Sequence, residues 1–275
     1  MIDQTTVGHE WVRTHLNVTV QHGYQIDSGS RWPRGGRAMA HARPAVFAGY
    51  SGATPSIWAL AGYEAMLLRY EGNDTMRAAW QEQRAFEYVW HASRSLSYNE
   101  SAIFAHVVDG NYGDLCGSSF CFEGSPAQNP PVTPGNVSAR AATLAAFVNA
   151  RAPYYRGDLL LLWGHDFGFW DAPAMFGNMS LVIDYINAHA DAFGFAIRYS
   201  TLAEYFDAKY ASGIAFPLVE GLDFELGWPH FLGHYNATAY QTGAATSWPG
   251  ACARCRGWRG GDGESRAQRT KRWCE

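Results

Sequence analysis

The 275 residues carry 47% hydrophobic and 17% charged side chains, a globular composition that excludes a disordered chain and suffices for one large domain or two ordinary ones. Apolar runs such as "LLLLW" at 159–163 fall far short of the roughly 20 residues that span a bilayer, which excludes a transmembrane segment in this sequence. The net charge of −4 hides a split: residues 28–49 hold four Arg and no acid, residues 241–275 hold seven basic residues against three acids, and the remainder carries a net −12. An acidic body argues against nucleic acid as a partner. The two basic pieces lack helical or aromatic spacing and read as foreign to the fold.

In chain order, "GYQID" (23–27) reads as a short buried strand that delivers Asp27 to its end. "TPSIWALAGY" (54–63) is a helix with Pro55 in its first turn, and "EAMLLR" (64–69) is a strand. "FEYVW" (86–90) and "IFAHVV" (103–108) are further strands, followed by a Gly/Pro/Ser-rich loop from Gly110 to Gly135. "NVSARAATLAAFVNARAPYY" is helical, with Asn136 or Ser138 as its cap. "DLLLLWGHD" (158–166) reads as a continuous apolar strand buried on both faces. The helix in "DAPAMFGNMSLVIDYINAH" places Met175, Met179, Val182, Ile183 and Ile186 on one stripe. "FAIRYS" (195–200) is the next strand, and "TLAEYFDAKYA" opens with a Thr201-x-x-Glu204 capping box. This alternation predicts an α/β fold, a mostly parallel sheet with covering helices in a barrel or open arrangement.

Functional groups in such sheets collect at the C-terminal ends of strands. Three predicted strands end in charge: Asp27, Arg69 and Asp166. A charge closing a buried apolar run is costly unless paired or used. One reading is structural, with Asp27 and Asp166 capping following helices or pairing with Arg69. The other is a two-carboxylate active site.

The residues now resemble a known family. "GYQID" and, after residue 49, "YSGATPSIWALAGYEAMLLR" resemble the "GWxIDPFGHSxxxPxxxxxAGFxxMLxxR" signature of glycoside hydrolase family 38, the class II α-mannosidases. "FEYVW", "IFAHVVDGNYGDLC", "PGNVSARAATL", "LLLLWGHDFGF", "YSTLAEYFDA" and "FPLVEGLDF" follow in the family's order along most of the chain. The resemblance implies part of a β/α-barrel-like N-terminal catalytic domain over 1–240, interrupted at 28–49, with a basic tail over 241–275. It implies a retaining, zinc-dependent hydrolase cleaving α-mannosyl residues from glycans, with a mannose-containing glycan as its partner. Asp27 takes the position of the nucleophile, which also ligates zinc, and Asp166 that of the general acid/base. Arg69 takes the position of the family's Arg near the sugar, and Tyr112 lies one position from its sugar-contacting aromatic residue. Cys116 and Cys121 fall where the family carries a small disulfide.

A retaining glycosidase needs two carboxyls about 5–5.5 Å apart, one to attack the anomeric carbon and one to protonate the leaving oxygen. The departures from the family are equally specific. His165 stands where the family has the first Asp of "GDDF". Residues 28–49 separate Asp27 from the resumed pattern and read like translated non-coding sequence. Of four expected Zn2+ ligands only Asp27 is present, so the chain looks truncated and is expected to bind zinc poorly and hydrolyse little. The competing expectation is a non-catalytic carbohydrate-binding relative that has lost its metal.

Six Asn-x-Ser/Thr sites, at Asn17, Asn73, Asn99, Asn136, Asn178 and Asn236, exceed the roughly one that chance would give. They favour an endomembrane lumen, with the targeting segment lying outside this sequence, and the "IDQ…GHEW" and "PGNVSAR" matches to the family lean toward the Golgi over the lysosome or vacuole. Asn178 stands too close to a helix face for a glycan. Cys252-x-x-Cys255, His230 and His234 read as tail and surface residues.

Overall fold

The computed structural model describes residues 2–25, 52–69, 74–123, 126–127 and 129–221. Five short runs form one sheet: β1 (His22–Gln25), β2 (Ala65–Arg69), β3 (Glu87–His91), β4 (Ile103–Val108) and β5 (Leu218–Glu220). Their spatial order is β1-β2-β4-β3-β5. The β1/β2, β2/β4 and β3/β5 pairs are parallel, and β3/β4 is antiparallel. A parallel crossover needs about a dozen or more residues, and the link between β3 and β4, residues 92–102, is shorter, so the chain turns straight back. The expected class, α/β with a mostly parallel sheet, is the one that forms.

Helices α1 (Ile2–Leu16), α2 (Ala53–Leu60), α3 (Asp74–Gln83) and α4 (Tyr98–Ser101) lie among the first strands. After β4 come α5 (Val137–Arg151), α6 (Ala172–Ala188), α7 (Ala190–Phe193) and α8 (Leu202–Ala211). Successive strand side chains point to opposite faces, and here both faces are covered. Met66, Leu68, Tyr88, Trp90 and Ile103 pack with Ala59 and Trp80 on one side. Leu67, Val89 and Phe104 pack with Tyr205 and Phe206 of α8 on the other. In β1 the glycine of "GYQID" is required by contact, since a Cβ on Gly23 would collide with the Trp58 ring of α2.

A third apolar cluster joins α5 and α6, with Leu144, Met175, Met179, Val182 and Ile186 closing over Phe120 and Phe122. All five residues of the predicted α6 stripe are buried. The Thr201–Glu204 capping box is present, with Thr201 Oγ1 accepting from the Glu204 amide at 3.2 Å and Glu204 Oε2 from the Thr201 amide at 2.7 Å. Asn136 does occupy the N-cap position of α5, but its side chain serves the preceding turn, accepting from the Thr133 amide and donating to the Pro131 carbonyl.

Two expected strands do not form. Residues 158–166 make no ladder pairing among the described residues. The apolar run is still used: Leu160 and Leu162 pack on the Phe104–Phe206 side, while Leu161 and Trp163 pack on the α5/α6 cluster. The run is half-buried, and its side chains alternate between the two clusters without a ladder partner among the described residues. In "FAIRYS" the backbone groups of Ile197 are satisfied by a side chain, its N–H donating to Asn187 Oδ1 and its carbonyl accepting from Nδ2, each at 2.9 Å. That occupies the groups a ladder would use.

Candidate functional site

Parallel pairing brings the ends of β1, β2 and β4 to one rim. Gln25 lies opposite Leu68 in one register, and Arg69 opposite Val108 in the next. Asp27, two residues beyond β1 in the sequence, lies outside the described residues, as do residues 28–49 and 241–275. The carboxylate separation that a retaining mechanism requires therefore also falls outside them.

Arg69, Tyr112 and Asp166 do come together. The Tyr112 hydroxyl donates to Asp166 Oδ1 at 2.5 Å, and the Arg69 guanidinium lies over the Tyr112 ring, 5.9 Å from its centroid. Three segments remote in sequence thus meet: the end of β2, the loop after β4 and the turn before α6. Asp166 is solvent-exposed. It does not cap the following helix. That task belongs to Asp171, whose carboxylate accepts from the Ala174 amide at 3.3 Å. An acceptor, a donor and a cation on one rim suit a ligand rich in hydroxyl groups.

The Asp166 turn is built by side-chain contacts. Phe167 and Phe169 both take left-handed backbone angles, φ 57° and 63°. The turn closes through the Gly168 amide to the His165 carbonyl at 3.0 Å. Glu123, buried beside it, accepts from the amides of Phe169 at 2.9 Å and Asp171 at 2.8 Å. His165 Nε2 lies 3.6 Å from the same carboxylate, and Trp163 Nε1 donates to the Phe120 carbonyl at 2.8 Å. Cys116 and Cys121 are joined as a disulfide beneath this turn.

Sequence reasoning passed over three buried carboxylates, Glu87 within β3, Glu123 and Asp109. Glu123 follows the apolar pair Cys121-Phe122, and an acid directly after buried residues was the available signal. Asp109, just past β4, is fully engaged: it accepts from Arg77 Nε at 2.5 Å and Gln81 Nε2 at 3.0 Å. Its amide donates to the Tyr155 hydroxyl at 2.6 Å, which in turn donates to the Val107 carbonyl at 2.9 Å. Burial pushes the Tyr155 phenol far above its ordinary range, so it stays a neutral strut for the strand end.

The described residues do not make a zinc site. Their one group of three candidate donors is Cys116, Cys121 and His165. Zinc binds thiolates, and these two sulfurs are bonded to each other.

Arg69 at the end of β2, with Tyr112 and Asp166 beside it, stands at the rim of a mostly parallel sheet where such folds commonly hold ligands. The model of the glycosyl hydrolases family 38 N-terminal domain matches residues 44–222, and the chain belongs to that family. The human epididymis-specific alpha-mannosidase is 32% identical over 244 residues, covering 79% of this chain and 23% of its own length. Alpha-mannosidase B of Dictyostelium discoideum is 30% identical over 232 residues, 75% of this chain and 20% of its own. The lysosomal alpha-mannosidase of the same organism is 26% identical over 210 residues, 75% of this chain and 18% of its own. The chain thus spans less than a quarter of the length of these relatives.

Proposed function

We propose that this chain is the acid/base-bearing part of a retaining α-mannosidase catalytic domain that cleaves α-mannosyl residues from glycans. The observation that carries the reading is the convergence of Arg69, Tyr112 and Asp166 on the rim of a family 38 sheet. In this reading Asp27 attacks the anomeric carbon while Asp166 gives its proton to the leaving glycosidic oxygen. Asp166 then takes a proton from the water that releases the glycosyl-enzyme ester. Tyr112 orients the Asp166 carboxyl, and Arg69 supplies positive charge beside the sugar hydroxyls. Zinc belongs to the family's chemistry by resemblance. The described residues do not form its site, so no step is assigned to it.

Residues 28–49 and 241–275 are read as sequence foreign to the fold, although the family match begins at residue 44 and so takes in the end of the first piece. A transcript from native tissue containing both pieces would overturn that. The endomembrane lumen is the proposed compartment, the Golgi ahead of the lysosome on the "PGNVSAR" match, while a relative named lysosomal weighs the other way. The sequons support a lumenal history unevenly. Asn17 is exposed, whereas Asn178 donates its amide to the Ala174 carbonyl and accepts from the Val132 amide.

The decisive experiment measures 4-nitrophenyl α-mannoside hydrolysis, with and without added Zn2+, for the chain joined to the remainder of its parent. The expected result is turnover that falls by at least about 10²-fold in Asp166→Asn, the scale of losing a general acid/base. Mannoside binding with no turnover, and no change in Asp166→Asn, would favour the non-catalytic relative. The observation on that side is His165, which replaces a family carboxylate and faces Glu123.

A further inference from the structure

We infer that Glu123 is the positioning residue of this site: it pins the turn that carries Asp166 and thereby sets the hydrogen bond from Tyr112. This rests on the reading of Asp166 as the acid/base. The turn needs pinning. Two aromatic residues with positive φ flank Gly168, and aromatic side chains disfavour that region, so the conformation persists only where its surroundings over-determine it. No ladder runs through residues 165–171 among the described residues.

Glu123 supplies what the ladder does not. Its two oxygens each take one amide, Oε2 from Phe169 and Oε1 from Asp171, so one side chain spans the C-terminal half of the turn. Bonds from N–H to an ionised carboxylate are about twice as strong as neutral ones. The carboxyl side chain is only 2% exposed, and a polar group so buried must be satisfied; the two amides do this. His165 Nδ1 also lies 2.7 Å from the Asp166 carbonyl, so the acid's own backbone is tied to the same group of contacts. At the far end Asp171 caps α6. Glu123 itself follows the Cys116–Cys121 bridge, which fixes it to the loop that also bears Tyr112. Both partners of the Tyr112–Asp166 bond are thereby referenced to one buried carboxylate.

Two measurements on the full chain test this without requiring hydrolysis. The first is amide hydrogen exchange in Glu123→Ala and the near-isosteric Glu123→Gln. The second is the carboxyl resonance of Asp166 in chain labelled at aspartate 13Cγ, identified by its loss in Asp166→Asn. Tyr112→Phe gives the reference for a broken hydrogen bond. In Glu123→Ala the Phe169 and Asp171 amides are expected to exchange about 10- to 100-fold faster, the loss of buried hydrogen bonds to a charged group. The Asp166 resonance moves to its Tyr112→Phe position, while β2 and β4 amides keep wild-type rates. Glu123→Gln, which retains one acceptor oxygen, lies between, and it carries the test if Glu123→Ala fails to fold. The proposal is overturned if the turn amides do not change, or if they loosen while the Asp166 resonance stays in place. It also fails if Tyr112→Phe leaves that resonance unmoved. A chain with the clamp intact and no mannoside turnover would instead sink the functional reading alone.

Discussion

The sheet and the Asp166 turn bring polar groups to the same rim by different means. Arg69 is placed by periodic structure: β2 is paired on both sides, and its register with β1 and β4 fixes where the strand ends. Asp166 is placed by a handful of side-chain contacts around a strained turn, with Glu123, Trp163 and the 116–121 bridge in the roles that strands play elsewhere. The first kind of order is distributed over many equivalent bonds. The second is concentrated in a few, so single substitutions should reach the acid without touching the sheet. Their effects on the two regions can therefore be compared directly.

The largest effect is expected within the sheet region, where the order has one point of concentration. Glu87 of β3 is buried, with Oε1 2.7 Å from Lys209 Nζ, 3.1 Å from His106 Nδ1 and 3.2 Å from the Tyr205 hydroxyl. Its Oε2 accepts from the Arg156 amide at 3.0 Å. Lys209→Met strands a buried carboxylate and should cost about 3–5 kcal/mol in urea denaturation. A cost below about 1 kcal/mol would show that the network is replaceable. The same group sets a pH dependence. Burial pushes His106 below its ordinary value of 6.5. For Glu87 burial alone pushes upward, but His106 and Lys209 outweigh it and hold the carboxyl below its ordinary 4.5. In both cases the unfolded chain takes up protons more readily than the folded one, so stability falls as pH falls. The His106 contribution is complete above 6.5 and is lost on acidification from there; that of Glu87 is lost below 4.5. Melting temperature against pH should therefore drop below 6.5, and His106→Gln should flatten the first part of the drop.

On the other side of the comparison, removing the disulfide should act locally. The loop it closes is short, with a sequence separation of 5, so loop-closure entropy gives about 2 kcal/mol. Cys116→Ser with Cys121→Ser should lower stability by that amount and speed exchange at Phe120, Glu123 and Phe169. The amides of β2 and β4 should not follow. If they exchange faster in proportion, the two regions form one cooperative unit and the contrast between them is lost.

How far each region can be read from sequence follows from the same distinction. β2 and β4 are legible because a buried strand is apolar over most of its length, as "AMLLR" and "IFAHVV" are apart from Arg69 and His106. α6 is legible because its stripe has helical period. Arg69 and Asp166 stand out because charge ends an apolar run, and Cys116 with Cys121 because the family pattern marks them. The same apolar signal fails at "LLLLW": hydrophobicity reports burial, and these leucines are covered from two sides without a neighbouring strand among the described residues. It fails at Ile197 because an Asn187 side chain takes the backbone bonds. Glu123 and the left-handed phenylalanines have no periodic signature at all. Their positions are set by contacts between segments far apart in the chain, which no local pattern encodes.

The smallest effect gives the sharpest control. Thr201 opens α8, which carries Tyr205, Phe206 and Lys209 onto the sheet. Its hydroxyl accepts from the Glu204 amide, so Thr201→Ala leaves an N-terminal amide of the helix without its cap. Such caps contribute about 1 kcal/mol, and Thr201→Ser should recover most of it. The loss enters the molecule through the helix that covers Glu87, so exchange should quicken along α8 and at Lys209. Its route to the 165–171 turn runs through the segment just before it, where the Tyr205 hydroxyl donates to the Asp158 carbonyl and Leu160 and Leu162 pack on the α8 side. Unchanged exchange at Phe169 and Asp171 would therefore mark the turn as separately held, whereas a matching rise there would mean that the Glu123 clamp draws its strength from α8 and the segment it covers.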